Sequence, residues 1–174
     1  MKRIATICLG LLAAGCDTLP AQIDSFQDMF SAGPAAEAQR EQALARVLQR
    51  DAVTGELEFV GETHYVILSD FQFDPDVIRL KSGTVARIRL SNASWIMHYF
   101  GAEDFLKKGA EWIDVLGSKV PSGQHHVPVA PFTERDLYLY IKTPGEYPLS
   151  CFVPNHYKAG MSGTLVVESA SLVE

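Results

Sequence analysis

Apolar and polar residues alternate along much of the chain after Leu57, which is the pattern of half-buried β-strands. The alternation is clear in residues 65–73 and 86–90. In residues 137–141 leucine and isoleucine take the odd positions, and tyrosine takes the even ones. These segments predict strands with one face toward a core.

Glycine and proline separate the predicted strands at intervals typical of tight turns. A turn at residues 81–83 follows a strand at 77–80, and a turn at 143–145 leads into a strand at 147–151. The last predicted strand covers residues 163–168. Short strands with such turns predict an all-β fold, a Greek-key sandwich or barrel of seven or eight antiparallel strands.

The pattern before this region is helical. Residues 35–50 are strong helix formers, and their apolar residues recur at helical spacing. They predict a short amphipathic helix, either packed on the domain as a spacer or used to dock a partner. With 174 residues, 47% of them hydrophobic, the chain is long enough for one domain with an N-terminal helical extension. We therefore divide it into residues 1–15, a tether and helix at 16–55, and one domain at 56–174.

The first sixteen residues have the order of an export signal. Lys2 and Arg3 precede an apolar run too short to span a bilayer, which ends at Gly15 and Cys16. The end of the run resembles a bacterial lipoprotein box, which implies a cleaved signal peptide at residues 1–15 and a lipid on Cys16. Simple cleavage at a nearby small residue is the alternative. Both interpretations predict export to the periplasmic side of a bacterial membrane.

Export limits the roles of the three cysteines. Cys8 lies inside the predicted signal and Cys16 would carry the lipid, so the exported domain keeps Cys151 alone and has no disulfide framework. A single thiol in an oxidising compartment needs burial or a bound metal. The net charge of −6, with no basic cluster, gives no indication of nucleic-acid binding.

Cys151 begins a segment that carries three metal-binding side chains. His156 follows after four residues and Met161 after four more. Thiolate and imidazole are ligands for soft or borderline metals, and a nearby thioether narrows the choice toward copper. A second imidazole would complete a site with two histidines, one cysteine and a weak axial methionine, and His98 is our candidate.

These residues resemble the type 1, or blue, copper proteins, the cupredoxins. The C-x4-H-x4-M spacing is similar to that of rusticyanin, and the C-x-x-P-x-H start is similar to that of azurin, with Asn155 where glycine is common. Residues 70–75 and 78–83 also resemble the opening strands of small bacterial cupredoxins. The resemblance covers about residues 56–168.

The resemblance implies one copper ion, ligands at His98, Cys151, His156 and Met161, and single-electron transfer with a c-type cytochrome or a terminal oxidase. His156 would lie nearer the surface, where electrons pass. The family often has Asn or Ser after the first histidine to connect the two ligand segments, whereas Tyr99 stands here, so Ser150 is the candidate for a replacement hydrogen bond.

Other functions are weaker alternatives. A copper delivery or tolerance protein would use the same ligands, although such proteins are expected to be rich in Met or His, and the domain has only Met97 and Met161. A multicopper oxidase would need further His-x-His motifs, and the sequence has none. We therefore expect no enzyme activity and no small-molecule substrate. A transient second metal at His125 and His126 stays open beside a solvated loop.

Overall fold

A computed structural model of the chain describes residues 33–115 and 125–170. The predicted signal peptide, Cys16 and most of the tether lie outside the described residues, as does the whole loop expected at residues 118–124. Within the described ranges no helix has the length and hydrophobicity to cross a membrane. The division at residue 56 stays a prediction.

The described elements are one α-helix, one π-helical turn and twelve strands. The helix α1 is Pro34–Val47, and the strands in chain order are β1 Leu48–Arg50, β2 Leu57–Phe59, β3 Glu62–Ser69, β4 Gln72–Asp74, β5 Val77–Lys81, β6 Val85–Asn92, β7 His98–Gly101, β8 Ala110–Trp112, β9 His126–Val129, β10 Glu134–Ile141, β11 Gly145–Ser150 and β12 Ser162–Glu168. The π-helical turn, Phe105–Gly109, precedes β8.

The strands form a β-sandwich, which confirms the predicted fold class. One sheet has the order β4-β3-β6-β10-β8 and the other the order β5-β12-β11-β7-β9, while β1 and β2 form a separate two-stranded ribbon. The two sheets contain ten described strands, more than the seven or eight expected. The pairs β3–β6 and β5–β12 are parallel, so the expectation of antiparallel pairing throughout was wrong. The chain passes from one sheet to the other after β4 and returns to the first sheet after β5. This double crossing allows β6 to run parallel to β3.

The main core lies between the two sheets. Leu68, Ile88 and Leu137 enter it from one sheet, and Leu149 and Leu165 enter it from the other, all at most 1% exposed. Burying each such side chain contributes roughly 1.5–3 kcal/mol. This core also contains Cys151 and Met161, so the two sulfur atoms of the predicted site lie in the most protected part of the molecule.

The inward face of β3 differs from the one that its pattern suggested. Tyr65 and Ile67, the alternate apolar residues that predicted the strand, are 61% and 44% exposed, whereas Val66 and Leu68 are buried. Four consecutive apolar residues satisfy both phases of a two-residue period, so the pattern predicted the strand without deciding its face.

The helix α1 covers the outer face of one sheet. Ala43 is buried in a second small core with Phe59, Val85, Tyr138 and Tyr140. This contact explains why the tyrosines of β10 are buried although the leucines of the same strand face the other way. The predicted helix ends three residues early, because residues 48–50 turn extended and pair with residues 57–59.

An ion pair across β6 and β10 makes the fold sensitive to acid. Arg89 donates two hydrogen bonds of 2.7 Å to the carboxylate of Asp136, which lies directly opposite in the ladder. This guanidinium holds the pKa of Asp136 below its ordinary value of 3.8. The pair therefore stabilises the fold above that value, and the contribution is lost as pH falls through the lower folded-state pKa.

We expect Asp136→Asn to lower the free energy of unfolding by about 2 kcal/mol at neutral pH, because charge-assisted bonds in a partly buried pair are lost. The difference should shrink as the pH falls below about 4, measured by urea unfolding at several pH values. Asp104→Asn, which breaks an exposed pair with Lys108, is the matched control and should cost far less. If the difference in unfolding free energy between Asp136→Asn and the original protein stayed constant down to low pH, this interpretation would be contradicted.

Candidate metal centre

Two adjacent strands of one sheet hold the ends of the segment that carries Cys151, His156 and Met161. Ser150 of β11 is paired with Ser162 of β12, so the eleven residues between them form a closed loop. The backbone N–H of Cys151 donates to the carbonyl of Met161 at 3.2 Å, which continues the ladder by one step. The sheet therefore fixes the first and last ligand candidates of the loop.

Backbone hydrogen bonds inside the loop fix the position of His156. Its N–H donates to the carbonyl of Val153 at 3.0 Å, and its carbonyl accepts from the N–H of Met161 at 2.9 Å. The first bond closes a four-residue turn and the second spans six residues, so the imidazole is carried by a constrained backbone. The four-residue spacing between His156 and Met161 thus follows from a compact series of turns.

Asn155 has a left-handed backbone with φ of 69°, which explains the residue at this position. Asparagine tolerates this conformation better than other residues with a side chain, and glycine tolerates it freely. The resemblance had indicated glycine as common here, and the conformation shows why Asn155 can replace it.

We expect Asn155→Ala to lower the free energy of unfolding by about 1 kcal/mol. Alanine has a higher energy in the left-handed backbone conformation and no polar side chain to offset it. Asn155→Gly is the matched control and should stay within about 0.5 kcal/mol of the original protein. Thermal unfolding of the metal-free proteins measures both. Equal stability of the Ala and Gly variants would show that the backbone at this position is not strained.

His98 is the first residue of β7 and reaches the same place from the neighbouring strand. Its register partner in β9 is Val129, and Gly101 at the other end of β7 pairs with Ser150 of β11. A Cβ atom on Gly101 would lie 2.5 Å from the carbonyl oxygen of Ser150, so glycine permits this close approach. This pairing fixes β7 beside the start of the ligand loop.

The structure brings three of the four predicted residues within bonding reach of one point. One potential ligand atom from each of His98, Cys151 and His156 lies within 4.8 Å of the other two. The Nδ1 atom of His98 is 3.7 Å from the Sγ atom of Cys151, and the two imidazole centroids are 5.1 Å apart. An ion placed among these atoms would have two nitrogen donors and one sulfur donor.

The fourth residue, Met161, is fully buried in the same core cluster as Cys151. Its backbone bonds to both Cys151 and His156, which places it at the closed end of the loop. Cys151 is 1% exposed, His98 is 0% exposed and His156 is 6% exposed. His156 is the more accessible histidine, as expected, but the ring of Phe71 lies against it with centroids 5.0 Å apart.

The protonation chemistry of the cluster suits a metal. The Nδ1 atom of His156 is buried and has no hydrogen-bond partner within the described residues. Leaving such a group unpaired costs about 1–3 kcal/mol, a cost that coordination would remove. Burial lowers the pKa of His98, and the neighbouring His156 lowers it further, which favours the neutral imidazole that metals bind.

Two imidazoles, one cysteine sulfur and one thioether are the donor set of a type 1 copper site. The β-sandwich and these residues are the fold and the donor set that the resemblance to the cupredoxins implied. The buried set fits one copper ion.

The chain has two relatives whose names refer to copper. No family model matches the chain. It is 28% identical over 173 residues to the copper-resistant cuproprotein CopI of Rubrivivax gelatinosus, covering 95% of this chain and 96% of the relative. It is 24% identical over 181 residues to the protein of the same name in Pseudomonas aeruginosa, covering 86% and 96%. Among solved structures it is similar to the reduced auracyanin of Roseiflexus castenholzii, with a TM-score of 0.46 and 19% identity over 62% of this chain and 98% of that chain.

Sequence reasoning missed the residue that anchors the segment before His98 in this cupredoxin-like site. The side-chain amide of Asn92 donates to the carbonyls of Ile96 and Val129 at 2.8 and 2.9 Å, and its oxygen accepts from the N–H of Ser94 at 2.9 Å. Ser150, the expected substitute, joins the ligand strands through its backbone pairing with Gly101. Asn92-Ala93-Ser94 has the composition of a turn, and this signal could have indicated a local hydrogen bond from the Asn92 side chain.

The histidine pair at 125 and 126 is not part of the three-residue cluster. His126 lies on a surface depression, with its ring 6.0 Å from that of Tyr99 and 5.5 Å from that of Phe152. Transient metal binding there stays a prediction.

Proposed function

We propose that the chain is an exported type 1 copper protein that carries single electrons between redox proteins. In this proposal His98, Cys151 and His156 would hold one copper ion, and the Met161 thioether would be a weaker fourth ligand. The observation that carries the proposal is the convergence of His98 Nδ1, Cys151 Sγ and the His156 ring at one buried point. Copper bound there would change between Cu(I) and Cu(II), and no catalytic reaction is assigned to the chain.

The rigidity of the site supports electron transfer over metal delivery. The ligand loop is closed by β-pairing at its ends and by turns inside it. The three convergent side chains are almost fully buried, so an ion held by them has little access to solvent or to a competing ligand. A carrier needs limited rearrangement between oxidation states, whereas a delivery protein needs an open site from which the ion can leave.

The surface around the ligand loop supports brief docking of a redox partner. Ile96, Met97 and Phe152 are 42%, 43% and 53% exposed and line one depression together with Pro154 of the loop. A mostly apolar surface lets a partner approach without desolvating many charges. We propose a c-type cytochrome or a terminal oxidase as the partner, and a position at the periplasmic face of a membrane, held by a lipid on Cys16.

Copper resistance is the second candidate function, and the names of the two CopI relatives favour it. The same site would then withdraw copper from solution or change its oxidation state. A role in resistance is compatible with redox cycling, so the deciding property is whether the ion stays in the protein while it cycles.

Copper loading of the purified protein tests these functions. We expect a thiolate-to-copper absorption band that saturates at one equivalent and returns after repeated chemical reduction and oxidation. A strong Cu(I) chelator added during cycling should remove the ion far more slowly than the redox changes occur. Loss of the copper at each reduction would instead support a delivery or sequestration protein, and tight binding without the band would exclude the type 1 site.

Growth of the source bacterium on excess copper separates the second candidate from the first. A deletion strain is complemented with the original gene, or with a variant carrying Cys151→Ser. Copper sensitivity that only the original gene corrects supports the resistance function. Normal copper tolerance together with impaired respiratory electron flow supports the carrier alone.

A further inference from the structure

The turn between β3 and β4 contacts both imidazoles of the cluster. Ser69 and Gln72 are paired at the ends of the two strands, so Asp70 and Phe71 form a two-residue turn. Asp70 Oδ1 lies 3.4 Å from Nε2 of His98, and the Phe71 ring lies 5.0 Å from that of His156. Phe71 has a left-handed backbone with φ of 67°, which is uncommon for an aromatic residue. One short turn thus supports the site from outside.

The two ring nitrogens of His98 face different partners. Nδ1 is 3.7 Å from the Cys151 sulfur, while Nε2 faces the Asp70 carboxylate. An imidazole that binds a metal through one nitrogen has a proton to donate from the other, and a carboxylate is a strong acceptor for it. One edge of the ring therefore faces the sulfur and the other faces the carboxylate, although Nε2 forms no hydrogen bond at this distance within the described residues.

The carboxylate is held in place although Asp70 is 62% exposed. The hydroxyl of Ser94 donates to Asp70 Oδ1 at 2.7 Å, and the same hydroxyl accepts from the N–H of Ile96 at 3.2 Å. Ser94 is buried and is itself fixed through the side chain of Asn92. This chain of contacts connects the carboxylate to the segment that leads to His98.

We propose that Asp70 is a positioning residue for the copper site, which keeps the proton of His98 on Nε2, leaves Nδ1 free for the metal and favours Cu(II) over Cu(I). The inference rests on the proposed copper function. Its last part follows from charge, because a carboxylate near the site stabilises the doubly charged ion more than the singly charged one. Asp70 thereby lowers the reduction potential, whereas an axial thioether raises it.

Two substitutions separate the charge of Asp70 from its acceptor oxygen. Asp70→Asn keeps an oxygen acceptor and removes the charge, whereas Asp70→Ala removes both. Asp114→Asn removes one exposed charge beyond β8, at the opposite edge of the sheet from β4, and is the matched control. All four proteins are loaded with copper, and their Cu(I) and Cu(II) affinities and reduction potentials are measured.

We expect Asp70→Asn to weaken Cu(II) binding about tenfold with little change for Cu(I), which raises the potential by about 59 mV for a one-electron couple. Asp70→Ala should weaken Cu(II) binding by about 10- to 100-fold, since partners of metal-bound histidines typically have effects of this size. Asp114→Asn should match the original protein. Equal potentials in the original protein and both Asp70 variants would overturn the inference.

A second measurement keeps the inference separate from copper binding itself. Nitrogen-15 NMR of the metal-free protein at a pH where His98 is neutral reports which ring nitrogen carries its proton. We expect the Nε2–H form in the original protein and in Asp70→Asn, and a shift toward the Nδ1–H form in Asp70→Ala. The same tautomer in all three proteins would contradict the positioning role. If the original protein binds copper without a thiolate band, the proposed function fails, whereas the tautomer result still decides the role of Asp70.

Discussion

Replacing Cys151 by serine is expected to abolish the visible copper band and to lower copper affinity by at least about a hundredfold. The sulfur atom is the softest donor of the cluster, and a hydroxyl does not replace a thiolate as a ligand for copper. The side chain is 1% exposed, so water cannot supply a substitute ligand without displacing the core. Absorption and isothermal titration with Cu(I) and Cu(II) measure the loss.

Two controls show whether the loss comes from removing the thiolate ligand or from a change in folding. Cys16→Ser removes the cysteine that the proposal assigns to the lipid anchor and not to copper, and it should leave the band unchanged. The metal-free Cys151→Ser protein should unfold within about 1–3 kcal/mol of the original, which is the cost of burying a poorly paired hydroxyl. A variant that keeps an intense band would show that another residue supplies the absorbing ligand, and the proposed site would then be wrong.

Asn92→Ala is expected to cause the largest loss of stability, about 3 kcal/mol. Asn92 is 2% exposed and makes three hydrogen bonds to backbone groups, so alanine leaves the carbonyl of Ile96 and the buried carbonyl of Val129 without their donor. The freed segment leads directly to His98, so copper affinity should fall as well. Denaturant unfolding of the metal-free protein measures the first effect, and copper titration measures the second.

Asn92→Asp is the matched variant, because it preserves the size and the acceptor for Ser94 but removes the two donated bonds. It should be destabilised nearly as much as the alanine variant at neutral pH. A loss below about 1 kcal/mol in both variants would mean that the segment before His98 is held by other contacts.

The sequence predicted the convergence of His98, Cys151 and His156 because chemistry and spacing restrict it strongly. Cys151, His156 and Met161 lie in one loop, and the closed ends of that loop follow from two adjacent strands. His98 is 53 residues from Cys151, and only the copper chemistry of the loop pointed to it. The structure places it beside the sulfur, where a second imidazole was expected.

The surroundings of the cluster were not predictable in the same way. Asp70 reaches Ser94 across 24 residues, and Asn92 reaches Val129 across 37. Such contacts depend on which strands become neighbours, and the parallel pairing of β3 with β6 was not visible in a pattern of alternating residues. The same limitation applies to Phe71, whose contact with His156 exists because a two-residue turn ends β3.

Predictions from local sequence patterns were also wrong where two conformations fit the same pattern equally well. The sequence of residues 48–50 continues the helical spacing of α1, yet these residues pair with β2 because an extended partner is available. The apolar run in β3 fits either face of the sheet, and packing selected Val66 and Leu68. In both places tertiary contacts decided what the local preference left open.

The most direct test of the account is anomalous diffraction at the copper edge from crystals of the copper-loaded protein. The account predicts one strong peak bonded to Nδ1 of His98, Sγ of Cys151 and a ring nitrogen of His156, with Met161 on the axis. A main peak at His125 and His126, or copper bound without Cys151, would contradict it.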